Sequence, residues 1–499
     1  MRPVGSVGLV QRLRQEPIGA VLISLVGDSA AYLAGGVLLG LGNVVLIPLY
    51  TRSLAPREFG VYALLDVTIL LLVSVTALKL DVSYLKWFAD LEPARRGELL
   101  GTMLVAGLGA SACGGVILFL LVASPLGESW FHASVRSYAW LLLPIVVLEN
   151  LLSLLLTDLR ARRYAISYSA TALVRLVCMI FVSYYLLAVR HLGLQGLFLG
   201  RLAGDAAGVL YLSAISIRFL AWKFVPSLLR PMLSFGLPLI WSTFAVMLQD
   251  ASGRYFLSRS GTLEDVGILG AAIKVGSVFQ ILVATPFGVA WGGVLFQIVK
   301  QPNAKIIYAK ILNYVYVFAL GIALALAILA PQLVHIFTAP AYYSAIGVLP
   351  LILLVRAMNV IEQPAATGIY IAGRTAFFAG IYTFALALNL LLLQELVPRY
   401  GAVGVGWAWF LSSASVPFLN LAIGQRFYRL DFSAKLFVLP VIAWIAMTRW
   451  LSLRLSSLSP TRIWVPILAS ALVMFGAAGL LANDFHWMRR ALNARGTSE

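Results

Sequence analysis

Five basic residues stand inside long apolar runs: Lys79, Arg175, Arg201, Lys274 and Arg356. Seven acids share that setting: Asp28, Asp66, Asp81, Glu149, Asp205, Asp250 and Glu362. An ionised side chain in a bilayer costs from about 2.5 to more than 10 kcal/mol. Charges at that depth are kept where they face a wet cavity or a partner. Two pairs are visible from spacing alone. Arg201 and Asp205 are i,i+4, as are Asp250 and Arg254, the latter in the better acid-first order. Arg201–Asp205 reads first as a neutralising pair, and Arg175 as a residue that snorkels or pairs with a neighbouring helix. Lys79, Lys274 and Arg356 have no acid at i±3 or i±4, so each points to an anionic ligand or to an acid on another helix. Lys86 is followed by Trp87 and Phe88, which fits an interfacial aromatic belt as well as a substrate contact. The candidate anion-binding cations are therefore Lys79, Lys86, Lys274, Arg356, Arg254 and Arg201. The candidate pairing or coupling acids are Asp205, Asp250, Glu362 and Asp66.

The elements that position these groups follow from composition. Of 499 residues, 61% are hydrophobic and 11% charged, a balance that no soluble domain can cover with polar surface. A soluble enzyme, a disordered chain and a nucleic-acid-binding domain are excluded, although the net charge is +17. The chemistry must lie among membrane helices. A spanning helix needs about 20 mostly apolar residues. Fourteen runs meet that need, with cores at 30–50, 58–79, 99–123, 138–157, 167–189, 194–216, 236–257, 266–289, 309–330, 346–370, 376–394, 402–423, 435–451 and 463–481. They are too long and too continuously apolar for the strands of an outer-membrane barrel. The first run reads as an uncleaved spanning helix rather than a signal peptide. Cys113 and Cys178 both lie inside apolar runs, so no disulfide framework is expected. Loops on the side of both termini carry about twice as many Lys and Arg as those on the other side, which predicts cytoplasmic termini.

The chain also repeats itself. The segment from Arg52 reads Arg-Ser-Leu-Ala-Pro-Arg-Glu-Phe-Gly, and that from Arg259 reads Arg-Ser-Gly-Thr-Leu-Glu-Asp-Val-Gly. Arg52 falls on Arg259, Glu58 on Asp265 and Gly60 on Gly267. Each segment joins the first two helices of a six-helix set. Six is even, so the two sets are parallel repeats, as in one class of secondary transporters. The expected fold is an all-α polytopic membrane protein of about fourteen helices. Its parts are a lobe at 1–217, a cytoplasmic interfacial linker at 218–234, a second lobe at 235–425, and two further helices with a cytoplasmic tail at 426–499. The four histidines are isolated, no metal-ligand cluster or Walker A pattern is present, and the loops are too short for a soluble catalytic domain. The chain is not expected to be an enzyme or to need a cofactor.

The hairpin Gly42-Asn43-Val44-Val45-Leu46-Ile47-Pro48-Leu49-Tyr50-Thr51-Arg52, followed by Glu58-Phe59-Gly60-Val61-Tyr62, resembles the first hairpin of bacterial oligosaccharide flippases. These are the O-antigen and exopolysaccharide exporters (Wzx type) of the multidrug/oligosaccharidyl-lipid/polysaccharide superfamily. Gly236-Leu237-Pro238-Leu239 with Gly253-Arg254-Tyr255-Phe256-Leu257 resembles that family's seventh helix, and Tyr342-Tyr343-Ser344-Ala345 with Leu349-Pro350-Leu351 its tenth. One departure is Gly253, where the family often has an acid, and Asp250 one turn earlier is a substitute. The resemblance implies a function: an undecaprenyl-pyrophosphate-linked glycan moved from the cytoplasmic to the periplasmic leaflet of the bacterial inner membrane. It implies membrane lipids as surroundings, a polysaccharide polymerase and a chain-length regulator as partners, and no nucleic acid. The rivals are a lipid II flippase, a multidrug exporter of the same superfamily, and a non-transporting assembly protein. Reporter fusions test the topology: Arg162, Lys305 and Arg429 should report cytoplasm, and Glu128, Leu263 and Gln394 periplasm. One reversed site breaks the fourteen-helix topology at that hairpin.

Overall fold

The computed structural model describes residues 34–430, apart from 39, 43, 132–134, 222 and 300–302. The expected helices at 435–451 and 463–481, and Asp28, lie outside the described residues. Those described are helical, with no strand among them. Membrane-length helices are α1 (Ala34–Ser53), α2 (Pro56–Phe88), α3 (Arg96–Ala123), α4 (Arg136–Ala161), α5 (Ala165–Val189), α6 (Gly193–Phe219), α7 (Pro226–Ser260), α8 (Leu263–Gly288), α9 (Ala304–Ile328) and α10 (Leu349–Ile371). The stretch Ala376–Gly424 has 49 residues, roughly 74 Å as one helix and far more than a bilayer of about 30 Å. Gly401 divides it, with φ 55° and ψ −132°. A Cβ on Gly404 would lie 2.3 Å from the Leu396 carbonyl oxygen, so the chain doubles back there. The halves are α11 (376–400) and α12 (402–424). Twelve of the fourteen expected runs thus become helices, and the protein is an all-α polytopic membrane protein.

Within the first six helices, α3 packs on α4, and α6 on both α4 and α5. Within the second six, α7 packs on the α11–α12 hairpin, and α10 on α8, α9 and that hairpin. The two sets meet along α2, which lies against α7 and α8. The repeat seen in the sequence lies at that meeting line. α2 begins at Pro56 and α8 at Leu263, the same offset that takes Arg52 to Arg259. Each start is capped alike. The Glu58 carboxylate accepts the Ala55 N–H at 3.1 Å, and the Asp265 carboxylate accepts the Thr262 N–H at 3.0 Å. Both reach back to backbone donors that a helix start leaves open.

Gly60 and Gly267 sit at the crossing itself. A Cβ on Gly60 would lie 1.9 Å from the Leu263 carbonyl oxygen, and one on Gly267 would lie 1.9 Å from that of Pro56. Only glycine permits so close an approach of two backbones. Phe59, Leu64, Leu65, Val266 and Leu269 are fully buried around it. Farther along, both helices leave regular geometry at corresponding points. α2 breaks after Thr76, and Leu78 and Lys79 take φ of 50° and 51°. α8 has a π-helical turn over Gln280–Ala284. Two successive non-glycine residues in the left-handed region are strained and persist only under outside support. α7 supplies it: a Cβ on Gly236 would lie 2.6 Å from the Leu78 carbonyl oxygen, and Ser83 Oγ donates to the Met232 carbonyl at 2.8 Å.

Within the stretch expected as an interfacial linker, 218–234, α7 already begins at Pro226. Ala221, Lys223 and Val225 lie beside the start of α3. The Ala221 N–H donates to the Gly97 carbonyl at 3.3 Å, the Val225 N–H to Thr102 Oγ1 at 3.1 Å, and Lys223 Nζ to Glu98 at 2.7 Å.

The glycine crossing yields a direct test. Gly60→Ala should destabilise the purified protein by about 1–3 kcal/mol, the usual cost of forcing atoms into packed space, and so lower its thermal unfolding temperature. Gly109→Ala, whose Cβ would meet nothing within 4 Å, should cause no such drop.

Candidate functional site

Helix geometry sets the depth of the charges. Asp66 lies ten residues past the start of α2 and Lys274 eleven past the start of α8, or roughly 15 and 16 Å along each helix. Both are near the midplane of a core about 30 Å thick. Three adjoining cavities occupy this depth. The first, ≈ 210 Å³, is lined by Tyr50, Tyr62, Asp66, Glu149, Arg175, Arg201 and Lys274. The second, ≈ 180 Å³, lies between the helix sets and is lined by Tyr62, Asp66, Asp250, Arg254, Lys274 and Arg356. The third, ≈ 320 Å³, belongs to the second set and is lined by Asp250, Arg356, Glu362, Tyr382 and Trp409. Shared linings make them one polar band across both halves: Tyr62, Asp66 and Lys274 join the first two, and Asp250 and Arg356 the last two.

In the first half the expected Arg201–Asp205 pair is not formed. Arg201 instead spans two other helices, with Nη1 on Asp66 Oδ1 at 2.6 Å and Nη2 on Glu149 Oε2 at 2.5 Å. Asp205, fully buried, pairs with Arg175 Nε of α5 at 2.7 Å. The reason is geometric. A guanidinium presents several donors in a planar fork and can hold two carboxylates that converge from separate helices. An i,i+4 neighbour offers only one, and Asp205 already has a cation of its own. Arg175, Asp205, Arg201, Asp66 and Glu149 therefore form a near-balanced network tying α2, α4, α5 and α6. Arg201 is a brace in this network.

In the second half the cations are held less tightly. Arg254 donates Nη2 to Asp250 at 3.3 Å and Nη1 to the Ala63 carbonyl of α2 at 3.2 Å, while its buried Nε has no hydrogen-bond acceptor. The expected Asp250–Arg254 contact is thus present. Lys274 Nζ lies 4.0 Å from Asp66 Oδ2 and over the Tyr62 ring at 5.2 Å, so its acid comes from another helix. Arg356 makes no ion pair among the described residues, and its Nε is buried without an acceptor. Glu362 accepts a hydrogen bond from Tyr382. Counted together, the band holds five cations (Arg175, Arg201, Lys274, Arg254, Arg356) and four acids (Asp66, Glu149, Asp250, Glu362). Among these lining residues the excess is one cation, and it falls in the second half.

Two expected cations lie outside this band. Lys79 stands at the break in α2 and lines none of the three cavities. Lys86 lies farther along, exposed, with its ammonium 4.6 Å from the Trp87 ring and 4.0 Å from the Phe235 ring. Of its two readings, that geometry fits the aromatic belt.

The departure at Gly253 has a steric cause. A Cβ there would lie 2.6 Å from the Trp409 indole, whose Nε1 donates to the Gln249 carbonyl at 3.0 Å. An acid at 253 has no room, and Asp250 supplies the charge one turn earlier. Nearby, Gln249 donates to Ser412 at 2.9 Å, and Ser252 donates to Asn389 at 3.1 Å, joining α7 to α11 and α12. Sequence reasoning missed three contacts: the role of Glu149, the Tyr255–Thr68 hydrogen bond of 2.6 Å between α7 and α2, and the Trp409 wedge. All three join residues far apart in the chain, and local spacing carries no sign of them.

A family model described as "Polysaccharide biosynthesis protein" matches residues 26–299. No curated protein matches the chain. A lipid II flippase MurJ in an inward closed conformation is 12% identical, with a TM-score of 0.70, over 92% of this chain and 99% of that one. A multidrug resistance MATE family transporter of the MOP superfamily, inward-facing, is 14% identical, with a TM-score of 0.62, over 80% of this chain and 94% of that one. An outward-facing structure described in the same words is 15% identical, with a TM-score of 0.59, over 81% and 95%. At such identities the likeness is one of fold.

Loss of the central brace should be costly. Arg201→Ala leaves Asp66 and Glu149, both partly buried at the cavity wall, without the guanidinium they share, and breaking a buried cluster of this kind costs up to about 3–5 kcal/mol. Membrane abundance and unfolding temperature should both fall. Arg201→Lys should restore them only in part, because an ammonium lacks the fork that spans two carboxylates.

Proposed function

The chain belongs to the polysaccharide biosynthesis protein family, a group with the fold of the multidrug/oligosaccharidyl-lipid/polysaccharide transporters, and from that premise we propose that it flips a lipid-linked oligosaccharide. The cargo is an undecaprenyl-pyrophosphate-linked glycan. It moves from the cytoplasmic to the periplasmic leaflet of a bacterial inner membrane and supplies O-antigen or exopolysaccharide assembly. A polymerase and a chain-length regulator act on it afterwards. Both termini face the cytoplasm in this reading.

The observation that carries the proposal is Arg356: a guanidinium at bilayer depth, in a cavity, with no ion pair among the described residues. A charge so placed favours binding of an anion. Lys274 and Arg254 line the same cavity between the lobes, each loosely paired. Together they offer a pyrophosphate one ammonium and two guanidiniums, from α8, α10 and α7. The sugar is polar and the tail apolar. The headgroup crosses within the cavity while the tail stays in lipid. Rocking of two six-helix lobes opens such a cavity to each face in turn.

A second reading, carriage of lipid II, is favoured by the likeness to the lipid II flippase over 92% of this chain. It shares the pyrophosphate and differs in the glycan.

The test is export in a strain that depends on this protein, read as lipid-linked glycan remaining in the cytoplasmic leaflet. Arg356→Ala and Lys274→Ala should each lower export at least tenfold with membrane abundance near wild type. Lys274→Arg should keep part of it. Normal export by Lys274→Gln removes this lysine from the phosphate site. Rescue of peptidoglycan synthesis in a strain lacking its lipid II flippase, without restored glycan export, would favour the second reading.

A further inference from the structure

The five cavity cations divide by how tightly they are held. On the first lobe, Arg201 is hydrogen-bonded to two carboxylates at 2.5 and 2.6 Å, and Arg175 lies 2.7 Å from Asp205 in an ion pair without hydrogen-bond geometry. On the second lobe, the nearest carboxylate oxygen is at 3.3 Å from Arg254 and at 4.0 Å from Lys274. Charge-assisted N–H···O bonds are about 2.7–2.9 Å long. The Lys274 ammonium is therefore attracted to Asp66 without being hydrogen-bonded to it.

Asp66 is distinctive among the acids of the band. Its Oδ1 is fixed to Arg201 of its own lobe at 2.6 Å, and its Oδ2 faces Lys274 of the other lobe. The carboxylate is thus anchored on one side of the seam and offers its second oxygen across it. Asp250 cannot act this way toward Arg254, because both are on α7. The remaining partner of Lys274 is the Tyr62 ring, a weaker attraction.

We propose that Asp66 is an internal competitor for the substrate's pyrophosphate at Lys274, holding the ammonium across the seam when the cavity is empty and yielding it when the phosphate arrives. The proposal rests on the pyrophosphate-carrier reading above and adds how the cargo is let go. The seam contact and anion binding become mutually exclusive. Arrival of the anion releases one link between α2 and α8. Return of Asp66 to the lysine then favours departure of the cargo. A site of loosely held cations without such a competitor would bind the anion tightly and turn over slowly.

The full-length protein in detergent, with inorganic pyrophosphate as the probe in magnesium-free buffer, supplies the test. Asp66→Asn keeps the shape and a hydrogen bond to Arg201 but removes the competing charge. It should bind pyrophosphate about tenfold more tightly than wild type, and in proteoliposomes it should flip lipid-linked glycan more slowly. Lys274→Gln should bind at least tenfold more weakly, and adding Asp66→Asn to it should change binding less than twofold. Glu149→Gln is the control. It removes an equal charge from the same Arg201 network but makes no ion pair with Lys274, so its effect should also stay under twofold. Equal tightening by Glu149→Gln and Asp66→Asn would overturn the proposal in favour of a general charge effect. Unchanged or weaker binding by Asp66→Asn, with binding still lost in Lys274→Gln, would overturn the competitor and leave the carrier reading standing. Binding indifferent to Lys274 would overturn both. Should Asp66→Asn fail to accumulate, Asp66→Glu decides. Its longer carboxylate reaches toward the lysine and should weaken pyrophosphate binding severalfold, and equal or tighter binding overturns the proposal.

Discussion

A charge among lipid chains has no water to turn to, so something in the protein or its cargo must answer it. That requirement organises the midplane of this molecule. Where two carboxylates and a guanidinium meet, as at Asp66, Glu149 and Arg201, three helices are fixed relative to one another. Where a guanidinium has no ion pair among the described residues, as at Arg356, the helices leave a cavity around it. The first lobe uses its charges to hold itself together, and the second keeps its own loosely engaged. The two six-helix sets thus differ in how their charges are engaged.

The legible part of the fold was the part written in local pattern. Apolar runs gave the helices to within a few residues at most ends, because length and hydropathy are properties of each segment alone. The repeat was legible too, and its matched residues turned out to have structural work. Glu58 and Asp265 cap equivalent helices, and Gly60 and Gly267 press against each other. The site was legible as a set of residue types but not as a set of partnerships. Spacing offered Asp205 to Arg201, yet Arg201 reaches α2 and α4 while Asp205 turns to α5. Only chain neighbours are visible in a sequence, whereas a charge inside a bundle has neighbours from several helices. Lys79, expected among the cavity cations, lines none of the three cavities, because α2 breaks after Thr76 and carries it away from them.

Gly253 illustrates how a departure from a family pattern can be read. In sequence it is a missing acid. In the structure it is the space that Trp409 fills, and the acid one turn earlier still reaches Arg254. The helix keeps its charge pair and gains a wedge between α7 and α12. A substitution that looks like loss of chemistry is here a rearrangement of packing around unchanged chemistry.

The glycine crossing has a mechanical consequence. Backbones in contact at Gly60 and Gly267 cannot come closer, and their small side chains leave them free to turn, so the contact is a fulcrum. The arms are long. From Gly60 to the break after Thr76 is roughly 24 Å of helix. A rotation on the order of 10°, the scale of many rigid-body transitions, swings that end through about 4 Å while Asp66, only about 9 Å from the pivot, shifts by less than about 2 Å. In the proposed rocking, the charges near the pivot would need to move only a short way while the far end of the helix moves more, and the leverage comes from placing the pivot at one end of the helix.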